Sequence, residues 1–137
     1  VQHSWIGELA ITQHQVWTNV PESTVTFNSE GGPLLLNLDM TLYSASSPQF
    51  FGCRPMINDR WAGEYGGYPV APLWTEGLNG GPQPDSWFDW AKSRVYMGIP
   101  AGTHTLTVQC MKYYEYMTPF TVGHSQVPLS LSIIELH

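Results

Sequence analysis

The sequence predicts an all-β domain, an antiparallel β-sandwich of the jelly-roll kind, spanning residues 1–137 as one unit. Three observations carry this. Apolar and polar residues alternate at period two over residues 34–42, 104–111 and 129–136, a pattern that a half-buried strand satisfies and a helix does not. Gly and Pro number 13 and 11 and separate these stretches without forming low-complexity runs. Charged residues make up only 12%, about half the usual share of roughly 25%, so the chain lacks the Ala, Glu, Lys and Arg of a long helix or coiled coil. No window approaches about 18 apolar residues, which excludes a membrane-spanning helix.

Along the chain, residues 7–20 read as one or two strands with a turn near His14. Pro21 and Glu22 break this run, and residues 24–27 alternate as a short strand before a Gly-rich turn over 28–33. The clearest strand follows: Leu34, Leu36, Leu38, Met40 and Leu42 share one face, with Asp39 on the other. Residues 50–61 supply the next strand, with Cys53 and Ile57 on one face and Pro55 placing it at an edge or a bulge. Residues 62–85 are rich in Gly and Pro without sustained periodicity. A structureless loop of that length is unusual in a compact domain, so a short strand is expected over 70–75. A domain boundary there is rejected, because the pieces on either side are too small to hold a core. Residues 87–96 form a strand in which Trp87 and Asp89 share a face. Residues 99–102 turn, and Leu106, Val108 and Cys110 then line the inner face of a strand over 104–111. Residues 113–123 read as an aromatic loop interrupted by Pro119, and residues 129–136 close the sheet. Seven to nine strands and at most one short helix result, with Leu34, Leu36, Leu38, Leu106, Val108, Leu129, Leu131 and Ile133 in the core.

Composition also bounds function. Eleven acidic against five basic residues give a formal charge of -6, which disfavours nucleic acid and anionic lipid. A neutral partner fits better. Cys53 and Cys110 are the only cysteines. Each reads as a small buried hydrophobe; a disulfide across neighbouring strands, in an oxidising compartment, is the alternative.

Dinucleotide, P-loop and nucleophile-elbow motifs are absent. The five histidines have no metal-ligand spacing, and no metal or cofactor is expected. His104 reads as a strand-end histidine bonded to backbone. A glycoside hydrolase built on Asp85 with Asp89, or Glu64 with Glu76, is the weaker enzymatic reading. The aromatic residues are the most informative feature. Asp59 and Arg60 follow Asn58 in a turn next to Trp61, where carboxylate, amide, guanidinium and ring suit sugar hydroxyls or a protein anchor. Tyr65 and Tyr68 flank Gly66 and Gly67, Trp74 follows, and Tyr114 belongs to a second aromatic group. Asp59, Arg60, Trp61, Tyr65, Tyr68, Trp74 and Tyr114 are therefore the candidate ligand-binding residues.

The stretches PLLLNLDMTLY (residues 33–43), IPAGTHTLTVQC (99–110) and LSLSIIELH (129–137) resemble, in order and character, strands of the jelly rolls of the complement C1q and tumour necrosis factor superfamily. Similar jelly rolls occur in trimeric heads of bacteriophage tail proteins and in small bacterial lectins. The resemblance implies a homotrimer without a catalytic site that recognises proteins or glycans, with its last strand beside its first near a threefold axis. The insertion over 62–85 departs from the short-loop pattern, so no family binding position carries over. The expected function is a non-enzymatic recognition module for a glycan or a cell-surface protein, at an extracellular or virion surface. A structural head or tip of a virion tail or fibre is the alternative; the low charge and the way the chain starts and stops suit a module of a longer chain.

Overall fold

Leucine alternation seeds the molecule. Leu34, Leu36, Leu38, Met40 and Leu42 are each at most 1% exposed, while Asp39 between them is exposed. The structure, a computed structural model, describes residues 1–12, 16–44, 49–67, 74–78, 86–112, 120–124 and 126–137. Among these it contains twelve strands: β1 (Gln2–Trp5), β2 (Leu9–Ile11), β3 (Thr18–Asn19), β4 (Val25–Ser29), β5 (Leu34–Ser44), β6 (Gln49–Ile57), β7 (Arg60–Trp61), β8 (Trp74–Leu78), β9 (Ser86–Tyr96), β10 (Gly102–Lys112), β11 (Phe120–Val122) and β12 (Leu129–Glu135). One 3-10 helix, Ala62–Gly66, follows β7.

All pairings are antiparallel, and the strands divide into two sheets. In the first, β9 covers one edge of β5 over its whole length, so β12 and β11 share the other edge. Strands β1 and β2 pair onto β12 and β11. In the second, β10 carries β6 on one edge and β3 with β4 on the other, and β7 and β8 share the far edge of β6. Grouped by the strand edge they share, the described segments fill eight strand positions. Counted along the chain, they lie in the order one-eight-three-six in the first sheet and two-seven-four-five in the second. This is the interleaving of a jelly roll, in which two Greek keys close over one core.

The eight core residues expected from periodicity are all buried, at most 5% exposed. Where pairing was less local, the fold differs from the sequence reading. Residues 50–61 are a hairpin, β6 and β7 about a turn at Asn58 and Asp59, and not a single strand. Gln2–Trp5 and Phe120–Val122 are strands although neither was expected; each is set by its partners, β12 for the first and β2 with β5 for the second. Of the strand expected over 70–75, residues 70–73 lie outside the described residues; Trp74 and Thr75 begin β8, which runs Trp74–Leu78.

Pro55 lies on an interior strand, against expectation. Facing it on β10, Val108 receives at its carbonyl the N–H of Val20 at 2.8 Å and gives its own N–H to Ser23 Oγ at 3.0 Å. The Val108–Pro55 rung is thus a non-bonded one. On the other flank, β7 covers Met56 and Ile57 and β8 covers Gln49 to Cys53, leaving Pro55 between them. Among the described residues, the missing N–H costs no ladder bond.

Cys53 and Cys110 oppose each other on β6 and β10 and form a disulfide, with Cα atoms 4.0 Å apart. Both are also fully buried, so the two sequence readings hold together.

At the chain's end, the Glu135 carboxylate accepts N–H bonds from Glu30 at 2.9 Å and Gly32 at 3.2 Å, tying β12 to the turn after β4. The Glu30 amide does most to hold this carboxyl below its usual range; desolvation opposes it, and Gly32, Ser29 and His137 add to it. A carboxyl depressed in the folded state stabilises above the ordinary Glu value, about 4.3, and loses that contribution as pH falls through the folded value. The stability gap between the protein and Glu135→Gln is therefore expected to be full at neutral pH and to close in acid. Unfolding midpoints across a pH series measure it, and a gap that stays constant into acid would show that Glu135 does not act through its charge.

Candidate binding site

The outer face of the second sheet is built by the same alternation that fills the core. While His104, Leu106, Val108 and Cys110 point inward from β10, Thr103, Thr105, Thr107 and Gln109 occupy the intervening outward positions. The neighbouring strands add polar partners in register. The hydroxyls of Thr24 and Thr107 share a hydrogen bond of 2.8 Å, and Thr103 donates to Asn28 Oδ1 at 2.7 Å. Arg54 Nε donates to Gln109 Oε1 at 2.9 Å, and Gln109 Nε2 donates to Asn19 Oδ1 at 2.8 Å. The Arg54 guanidinium lies 4.1 Å from the centre of the Trp17 ring, a cation–π contact. Partial burial pulls Arg54 down from its ordinary value, opposed by the Glu64 carboxylate.

At one end of this face, Met56, Asn58, Asp59, Thr105 and Thr107 line a cleft of about 370 Å³. Its rim is the β6–β7 turn. Asn58 and Asp59 both have positive φ, 52° and 62°, the conformation of a two-residue type I′ hairpin, which Asn and Asp tolerate. Three bonds fix Asn58. Its N–H donates to the Thr105 carbonyl at 2.8 Å, its Oδ1 accepts the Thr105 N–H at 2.9 Å, and its Nδ2 donates to His104 Nδ1 at 2.7 Å. His104 is buried, tilted against Phe27, and donates from Nε2 to the Pro100 carbonyl at 2.7 Å. The backbone bond expected of a strand-end histidine is present, and the ring also positions the turn. Among the described residues, neither the Asp59 carboxylate nor the Thr105 hydroxyl has a hydrogen-bond partner; both are open to a ligand.

Of the sequence-predicted residues, Asp59 lines this cleft. Arg60 is next to it but is engaged with Glu64 at 3.6 Å and with the Tyr65 ring at 4.5 Å. Tyr65 is half-buried, its hydroxyl donating to the Ile57 carbonyl at 3.0 Å. Trp61 is in the core, 3% exposed and edge-on to Tyr96, so its ring is not part of the open surface. Trp74 begins β8, its backbone paired with Cys53. Tyr68 and Tyr114 lie outside the described residues. Met56, Thr105 and Thr107 were missed, while Asn58 was read as part of the turn. The period-two signal that marks Leu106 and Val108 as core marks Thr105 and Thr107 as outward, but only the β6–β10 register brings them to Asp59.

No protein-family model and no curated protein sequence matches the chain. Among the described residues, no helix is long and apolar enough to cross a membrane.

Proposed function

We propose that the chain is a non-enzymatic recognition module that holds a neutral, hydroxyl-rich ligand, a glycan on a cell surface, in the Asp59 cleft. The observation that carries this is the cleft's lining. Hydroxyls, one amide and one carboxylate line the cleft together with Met56, a mixture of polar handles and apolar surface that selects a polar neutral molecule. The formal charge of -6 opposes a polyanion. Glycoside hydrolysis by the usual route needs two carboxylates flanking one bond; among the described residues that line the cleft, Asp59 is the one carboxylate. The buried disulfide supports an extracellular or virion-surface location.

The C1q and tumour necrosis factor likeness is part of this proposal, supported by the jelly-roll strand order and by the pairing of the last strand with the first. A homotrimer follows from it. On the outer face of the first sheet, Ile134, Leu35 and Val95 form a row across β12, β5 and β9, with Ile134 and Val95 47% and 42% exposed. A threefold neighbour would cover such a row. The same row favours a second reading, a structural head or tip of a virion tail or fibre, in which assembly is the function and no glycan is bound.

A glycan array followed by calorimetry and light scattering separates these. Neutral glycans are expected to bind a trimer, with Asp59→Asn or Thr105→Val weakening binding by more than about fivefold, the scale of an interface anchor. A folded trimer that binds no glycan would leave the structural-head reading, and a monomer would remove the trimer.

A further inference from the structure

On the opposite sheet, the structure presents a group not found in the described lining of the Asp59 cleft, an aromatic ring open to solvent. Strands β5 and β9 pair along their full lengths, setting Tyr43 opposite Trp87 and Thr41 opposite Asp89. Trp87 is 41% exposed. It is braced by Tyr43, with ring centres 5.0 Å apart, and by His124 edge-on at 4.6 Å. Thr41, Trp87, Asp89, His124 and Val127 line a cleft of about 270 Å³.

Each polar group in this cleft is held in place. The Thr41 hydroxyl donates to Asp89 Oδ1 at 3.4 Å. The loop carrying His124 is fastened to β5 by the bond from Gly123 N–H to the Thr41 carbonyl at 2.7 Å. Gly123 has φ +91°, and a Cβ there would lie 2.0 Å from the Gly7 carbonyl oxygen, so only glycine fits. The Gln126 N–H donates to His124 Nδ1 at 2.9 Å, which leaves the ring proton on Nε2. Among the described residues, that Nε2–H has no partner.

We propose that this cleft is a second binding site, for a neutral hexopyranose ring. The inference rests on the glycan reading of the chain but not on the Asp59 cleft. A pyranose has a face of C–H groups and a rim of hydroxyls. The exposed part of the Trp87 indole takes the first. The Asp89 carboxylate accepts hydroxyl protons, and His124 Nε2–H donates to a hydroxyl oxygen. Asp89 and the charge of -6 repel uronic and sialic acids. Because the groups stand on paired strands and a fastened loop, little ordering is needed on binding. The two clefts lie on opposite sheets, so one chain can hold two glycan segments at once.

The test is titration of the full chain, 15N-labelled at the indole nitrogens, with the methyl glycosides of glucose, galactose and mannose, and with methyl glucuronide as the acidic control. The Trp87 resonance, assigned by its loss in Trp87→Phe, is expected to shift saturably with at least one neutral glycoside and not with the glucuronide. Trp87→Ala should weaken that binding about fivefold or more, Asp89→Asn should weaken it, and Asp59→Asn should leave it unchanged. If no neutral glycoside moves the Trp87 resonance, or Trp87→Ala binds normally or changes the oligomeric mass, the inference is overturned. A Trp87 response with no Asp59-dependent binding on the array would remove the first site and keep this one, and the reverse pattern would do the opposite.

Discussion

Loss of the Cys53–Cys110 bond is expected to cost about 2–5 kcal/mol of stability. The bond closes a sequence separation of 57 residues, and the chain-entropy relation for a loop of that length gives about 4 kcal/mol. Against a net stability of roughly 5–15 kcal/mol for a domain, this is a large fraction. Placement makes it matter more, because the bond joins β6 and β10, the two central strands of the second sheet. Ile57, Leu106 and Val108 share its buried cluster, so Cys53→Ala with Cys110→Ala also removes packing. At about 2.1 cal/mol/K per residue of unfolding entropy, the midpoint should fall on the order of 10 °C. Thermal unfolding with and without reductant measures the effect, alongside thiol counting in denaturant. Free thiols in the untreated protein, or a reduced form less than about 1 kcal/mol weaker, would contradict the disulfide's role.

What could be read in advance follows from what is local. Leu36 and Leu106 were legible as core because burying one face of a strand forces period two on the sequence, whatever the strand pairs with. Gln2–Trp5 was not legible, since its strand conformation is set by the Leu129–Ser132 partners at the far end of the chain. The Asn58–Asp59 turn was visible in its residue types, and His104 in its place beside the glycine turn. Their meeting was not visible, because it depends on a register between β6 and β10 that no local pattern specifies. The aromatic residues divide the same way. Composition marks Trp61 and Trp87 alike as large rings, and strand parity places Trp87 with Asp89. Only the fold turns Trp61 into the core and leaves Trp87 at the surface with Thr41 and His124.

That division leads to a large single-residue effect. Trp61→Ala should cost about 3–5 kcal/mol, the range for emptying a buried tryptophan site, while binding at the Asp59 cleft by the folded fraction stays within about twofold, below the threshold of an anchor. The ring is 3% exposed and meets Tyr96 edge-on at 6.0 Å and 81°, a favoured aromatic geometry. The following turn is shaped around it: a Cβ on Gly63 would stand 2.7 Å from the Trp61 ring. Ala62 and Gly63 are buried beside it, and the 3-10 helix that Trp61 precedes carries Glu64 and Tyr65, the two groups that engage Arg60. Removing the ring therefore empties a site at the sheet edge beside Met56 and loosens the segment that restrains Arg60, while the Asn58 turn keeps its bonds to Thr105 and His104. Denaturant unfolding at low temperature reads the first effect, and calorimetry against an array-identified glycan reads the second. A variant of unchanged stability that binds at least about fivefold more weakly would place Trp61 against the ligand and overturn its assignment to the core.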